Sequence, residues 1–158
     1  MVNNVDAVDP REMQTLQIYL NEYRQQAEIF SQQLGMLEEG RMEAHAAIEA
    51  LKGLMEAGES TVLLQMGGGV SVRAKVSTPD EVLVNIGAEV IVQRTSQEAV
   101  DYLNDRITEM EASSKKVAET LGKVQNQMNE IARRLEMGYQ MSQMPPQAPA
   151  AAPRQADE

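Results

Sequence analysis

Apolar residues recur along the chain in two long stretches with a spacing of alternately three and four. From Met13 the steps land on Met13, Leu16, Leu20, Tyr23, Ala27, Phe30, Leu34, Leu37, Arg41, Ala44, Ile48, Leu51 and Met55. Only Arg41 interrupts this seam. From Val100 they land on Leu103, Ile107, Met110, Ser114, Val117, Leu121, Val124, Met128, Ile131 and Leu135, with Ser114 the single break. A mean period of 3.5 sustained over five to six heptads predicts helices that supercoil and pack knobs into holes. The seams match in length and are joined by about 40 residues, so each is the natural partner of the other in an antiparallel coiled coil.

The ends of these helices carry their own signals. Asp9 offers a capping carboxylate, Pro10 fits the first helical position, and Glu12 lies three residues after the cap. Gly58 is a suitable C-cap. Thr95 with Glu98 three residues later forms the second start signal, and Gly138 marks an expected stop. The predicted first helix covers residues 10–57 and the second 95–138, each reaching roughly 60–70 Å at about 1.5 Å per residue. All six prolines lie outside both seams.

Between the helices, residues 60–94 carry strand chemistry. Residues 61–66 precede Gly67, Gly68 and Gly69; then Val70, Val72, Ala74 and Val76 alternate with Ser71, Arg73 and Lys75, the mark of a strand with one wet face. Ser77 to Asp80 forms a turn, and residues 81–86 and 88–94 read as strands around Gly87. Two hairpins result, expected to form one four-stranded sheet. Leu63, Leu83 and Ile91 are apolar on the face opposite Val62, Val82 and Val90, so both faces need cover and the outer strands leave unpaired backbone groups. These three residues are the candidate contacts with another subunit. Residues 139–158, rich in Pro, Ala and Gln, are expected to be a disordered tail.

Composition narrows the function classes. Aromatics make up 3%, with one Phe and no Trp, which suits a narrow seam better than a thick core. The net charge of -10 argues against nucleic acid or an anionic membrane as partner. There is no cysteine, which excludes disulfides and thiol chemistry; residues 1–10 lack the basic and apolar regions of a secretory signal and no run of 18 apolar residues occurs, so neither export nor membrane insertion is expected. The expected setting is cytoplasmic.

Catalytic chemistry is not encoded in any recognisable form. The triple glycine is followed by Val70 and Ser71 opening a strand rather than by the Lys-Ser/Thr and helix of a phosphate loop, so it reads as a turn. His45 is the only histidine and has no companions at metal-ligand spacing. The glutamates lie off the seams, and two slender helices form no dry cleft for paired carboxylates. No enzyme, cofactor or metal site is therefore expected.

A long helix, two consecutive hairpins with a glycine-rich first turn, and a second long helix together resemble the alpha class of the prefoldin family, in its archaeal form. The carrying residues are the run from Gly67 through Val76, GGGVSVRAKV, and the run from Glu81 through Val90, EVLVNIGAEV. Gln65 and Met66 depart from the proline and small apolar residue that relatives often carry there. The resemblance spans Pro10 to about Gly138, and two hairpins favour the alpha class over the beta class, which has one. It implies a mainly α protein whose hairpins join an oligomeric β-barrel in a hexamer of two alpha and four beta subunits. It also implies a chaperone that holds unfolded polypeptides without ATP at the coiled-coil tips and passes them to a group II chaperonin.

In an antiparallel coiled coil the free tip combines the start of the first helix with the end of the second. Apolar residues there that the seams do not use are Ile18, Tyr19, Met137, Tyr139, Met141 and Met144, and flexible methionines adapt to many apolar sequences. They are the candidate client-binding residues; the alternative is that Ile18 and Tyr19 only broaden the seam and that the tail methionines have no role. Arg41 and Ser114 read as a polar layer that fixes register, or as a partner contact. Two other functions compete with the holding of unfolded chains. One is a structural or adaptor coiled coil that merely spaces other proteins; the other is an accessory domain with a small-molecule site at the hairpins, for which no convergent polar set is visible.

Overall fold

The structure of the chain, a computed structural model, describes residues 9–143. The elements run α1 (Pro10–Ala57), β1 (Ser60–Gly67), β2 (Val70–Val76), β3 (Glu81–Asn85), β4 (Ile91–Thr95) and α2 (Ser96–Gln143). The protein is mainly helical, two long helices with two antiparallel hairpins between them. It divides into two compact units, residues 29–121 and, from the two chain ends, residues up to 28 together with those from 122.

The heptad spacing translates directly into burial. Every seam position of α1 and α2 is buried or half-buried, while the positions between them are exposed apart from a few small or bordering residues such as Gly40, Ala47, Leu54 and Ala99. In the larger unit, Ala44, Ile48, Val100 and Ile107 form the core, and Leu51, Met55, Leu103 and Met110 pack against it. Residues 33–40 of α1 share a groove with residues 106–117 of α2, and residues 47–51 share another with residues 99–106, so the helices run antiparallel there. Gly40 is an interior helical glycine with a close neighbour: a Cβ on it would meet the Met110 sulfur at 3.1 Å, a contact that a small shift of that side chain relieves. In the smaller unit Leu16, Val124 and Leu135 are the buried apolar residues.

The caps follow the sequence signals. The Asp9 carboxylate accepts from the Arg11 N–H at 3.0 Å, and Gly58, at φ +63, lets its N–H reach the Leu54 carbonyl at 3.1 Å. Thr95 and Glu98 form a reciprocal capping box: the Glu98 N–H donates to Thr95 Oγ1 at 3.1 Å and the Thr95 N–H to Glu98 Oε2 at 3.0 Å. Ser96, 1% exposed, adds two bonds, its hydroxyl donating to the Pro79 carbonyl at 2.6 Å and its N–H to the Asp80 carbonyl at 2.9 Å.

Three expectations require correction. The four strands make two separate two-stranded sheets, β1 with β2 and β3 with β4, rather than one four-stranded sheet. Ala88 to Val90 belong to the second turn, not to a strand: Ala88 and Glu89 have φ of 49° and 61°, and the Val90 N–H closes on the Gly87 carbonyl at 2.9 Å. Such a left-handed pair suits the twist of a tight hairpin but strains residues that carry a Cβ. Third, α2 does not stop at Gly138 but runs on to Gln143. Gly138 lies three residues after Leu135, in phase with the seam, and is buried as an interior helical residue. Residues 139–143 of the expected tail are therefore helical, and residues 144–158 lie outside the described part of the chain.

Replacing Ile107 with Ala removes a buried seam side chain, at a cost of roughly 2–3 kcal/mol, the low end for a thin seam with water close by. Hydrogen exchange should rise in residues 44–55 of α1 as well as around position 107 in α2. A rise confined to α2 would contradict the pairing.

Candidate functional site

Exposed apolar residues gather in two places among the described residues, on the hairpins and at the start of α1 and the end of α2, with Ile29, Met36 and Met42 also exposed along α1. On the first hairpin the ladder pairs Val62 with Ala74 and Leu64 with Val72. Strand alternation places Val62, Leu64, Val72, Ala74 and Val76 on one face. Leu64, Met66, Val70 and Val72 are all exposed, Met66 to 62%. The turn below them needs its glycines, since Gly67, Gly68 and Gly69 have φ of 99°, 58° and 80°. Leu63 is 68% exposed but stands opposite Arg73 on the other, polar face, with Thr61 and Gln65 beside it.

On the second hairpin Leu83 pairs with Gln93 and Asn85 with Ile91, which makes Leu83 and Ile91 diagonal neighbours on one face. They are 74% and 61% exposed. Val82, Val84 and Val92 occupy the other face and are half-buried. The structure thus brings Leu83 and Ile91 together and leaves Leu63 on a separate sheet. Leu64, Met66, Val70 and Val72 went unnoticed as an open surface in the sequence. Their alternation signalled an apolar face, but alternation is silent on what covers it.

In the smaller unit Ile18, Tyr19, Met137, Tyr139 and Met141 are all exposed. Met137 and Met141 are four residues apart and share one face of α2. Tyr139 lies on another and accepts a hydrogen bond on its phenol oxygen from Gln17 Nε2. Ile18 and Tyr19 are adjacent on α1. An open groove of about 490 Å³ runs here, lined by Leu20, Ala132, Leu135, Tyr139 and Gln143 among others. Met144 lies outside the described residues.

The polar interruptions of the seam differ in kind. Arg41 holds Glu38 on its own helix at 2.8 Å and reaches across to Glu111 of α2 at 3.4 Å. Both carboxylates are half exposed, so solvent screens the pairs and their value is geometric more than energetic. A charged residue at a core position satisfied by one particular partner favours one alignment of the helices. Ser114 is half-buried. Among the described residues no cluster of His, Cys, Asp or Glu could hold a metal ion, His45 is exposed, and no helix is long and apolar enough to cross a membrane.

The hydrogen bond and charge of Arg41 lower the Glu38 carboxyl below its ordinary 4.5. A depressed carboxylate pKa contributes stability that is present above the unfolded value and is lost as pH falls through the folded one. Arg41→Leu should flatten the loss of thermal stability below about pH 4.5, while completing the apolar seam at neutral pH. An unchanged acid limb would show that the Arg41 layer carries none of that dependence.

The family profile described as "Prefoldin subunit" matches residues 23–141. Among curated relatives, the "Prefoldin subunit alpha" of Methanoregula boonei is 58% identical over 146 residues, covering 92% of this chain and 92% of the relative. That of Methanospirillum hungatei is 54% identical over 136 residues, covering 86% and 91%. That of Nitrosopumilus maritimus is 35% identical over 128 residues, covering 81% and 79%. A cryo-EM structure of filamentous PFD from Methanocaldococcus jannaschii shares the fold, with a TM-score of 0.65 at 22% identity, covering 75% of this chain and 98% of that one.

Proposed function

The chain belongs to the prefoldin family, and from that membership we propose that it is the alpha subunit of an ATP-independent chaperone that binds unfolded or nascent polypeptides. In this reading the helix ends hold the client, the hairpins hold the complex together, and bound clients pass to a group II chaperonin in the cytoplasm. The observation that carries it is the set of exposed apolar side chains at the helix ends, Ile18, Tyr19, Met137, Tyr139 and Met141, which no seam contact consumes. Methionines and tyrosines suit a surface that must accept many sequences: the thioether is flexible and polarizable, and the phenol offers a ring together with a polar edge.

The hairpins support the assembly half of the reading. Among the described residues each two-stranded sheet leaves both of its outer edges without a ladder partner, and beside those edges lie Leu63, Leu83, Ile91 and the open face around Leu64 and Val72. Free edges next to exposed apolar faces are suited to strand addition by neighbouring subunits. The assembly inferred is two alpha with four beta subunits, their strands continuing one another into a barrel.

Substituting Ser for Tyr19, Met137 and Met141 together should leave assembly and helix content unchanged. It should reduce, by several-fold, the capacity of the complex to suppress aggregation of a chemically denatured model protein. Equal protection would remove the helix ends of this subunit from the client site and favour an adaptor role.

Leu83→Lys with Ile91→Lys should strand two charges at the inferred interface, where burying an unpaired charge is prohibitive. Size-exclusion chromatography should then report smaller species with the helical signal largely retained. A complex of unchanged size would place the interface elsewhere on the hairpins.

A further inference from the structure

We propose that residues 144–153 dock back into the open groove at the end of α2 and occupy part of the surface assigned above to clients. The inference rests on that assignment. The groove has a volume of about 490 Å³, and Gln143, the residue from which the segment departs, is itself part of its wall. The occupant therefore starts at the mouth of its own site.

Reach is sufficient. The wall contributed by α2 extends from Ala132 to Gln143, a helical rise of roughly 16 Å. Ten residues in polyproline II geometry span roughly 31 Å, so the segment can spend several residues on reversing direction and still cover the groove.

Its chemistry also matches. Residues 144–153 read Met-Pro-Pro-Gln-Ala-Pro-Ala-Ala-Ala-Pro and bring no charged side chain to the groove, whose one charged wall residue, Glu136, is exposed. The charged residues of the chain end come later, at Arg154, Asp157 and Glu158. The groove offers Leu20, Ala132 and Leu135 as apolar wall and the half-exposed ring of Tyr139 as platform. The bond from Gln17 to the Tyr139 phenol oxygen fixes that ring's orientation. Proline-rich segments bind aromatic-lined grooves by this combination, since their backbone is already ordered and little entropy is lost. An intramolecular segment acts at an effective concentration on the order of millimolar, so even weak docking competes with a client of modest affinity and not with a tight one. The segment would set a threshold that apolar clients must exceed.

Two measurements on the assembled complex test this. The chain has no cysteine, so introduced pairs report alone. Ala132→Cys with Ala148→Cys places one thiol in the groove wall and one in the segment; Arg134→Cys with Ala148→Cys is the control, its thiol about half a turn round α2. Under mild oxidation the groove pair should form an intrachain disulfide faster than the control pair. Equal rates, or a disulfide joining two chains, would overturn docking.

In the second, residues 145–153 are replaced by a Gly-Ser sequence of the same length, and Met144, itself a candidate client contact, is kept. Affinity for an apolar, unfolded reporter protein should rise about two- to tenfold, the range expected when a competitor at millimolar effective concentration is removed. Unchanged or weaker binding would overturn the competition. Cross-linking reads docking whether or not clients bind, so its failure is distinguishable from failure of the chaperone reading, which wild-type protection assays report.

Discussion

Burial along a single stripe on each helix is the constraint on which the rest depends. With one Phe and no Trp, the chain has no means of building a thick core, and α1 and α2 have only each other to exclude water from Leu16, Ile48, Ile107, Val124 and Leu135. A stripe of this width satisfies two helices and nothing more. Apolar side chains off the stripe are therefore left in water, and in this protein they are concentrated on the hairpins and toward the helix ends.

The same constraint explains the polar residues on the seam. An unbroken run of Leu, Val and Met would let the helices slide by a heptad at little cost, because each step replaces one apolar contact with another. Arg41 makes such a slide unfavourable: moved by one heptad it would lose Glu111 and bring its charge against an apolar layer. The close approach at Gly40, where the Met110 sulfur lies near the bare backbone, adds a feature of shape one residue away. These adjacent residues favour one alignment in a seam that is otherwise permissive.

Much of this was legible in the chain. The 3.5-residue period, the capping residues at Asp9 and Thr95, and the glycine turn each rest on local chemistry, and local chemistry is what a sequence displays. What escaped was decided by relations between distant residues. Gly138 looks like a helix stop in isolation, and only its phase with Leu135 shows that it serves as a small buried residue inside α2. Ala88 and Glu89 have no intrinsic preference for left-handed geometry; closure of the second hairpin imposes it. The candidate surface was legible by type but not by grouping. Leu63, Leu83 and Ile91 looked equivalent in alternation, yet the ladders put Leu63 opposite Arg73 and unite only the other two.

The junction between β4 and α2 contains no connecting residue. Thr95 ends the strand and caps the helix, and Ser96, the first helical residue, is bonded to Pro79 and Asp80 in the turn between the hairpins. The junction between α1 and β1 is different, passing through Gly58 in left-handed geometry and then Glu59. The first joint is tied by hydrogen bonds to the turn between the hairpins, whereas the second turns on one left-handed glycine. A neighbour that grips the second hairpin therefore holds the start of α2 directly, while one that grips the first reaches α1 across Gly58 and Glu59, so the two helices, equal in length, are anchored unequally.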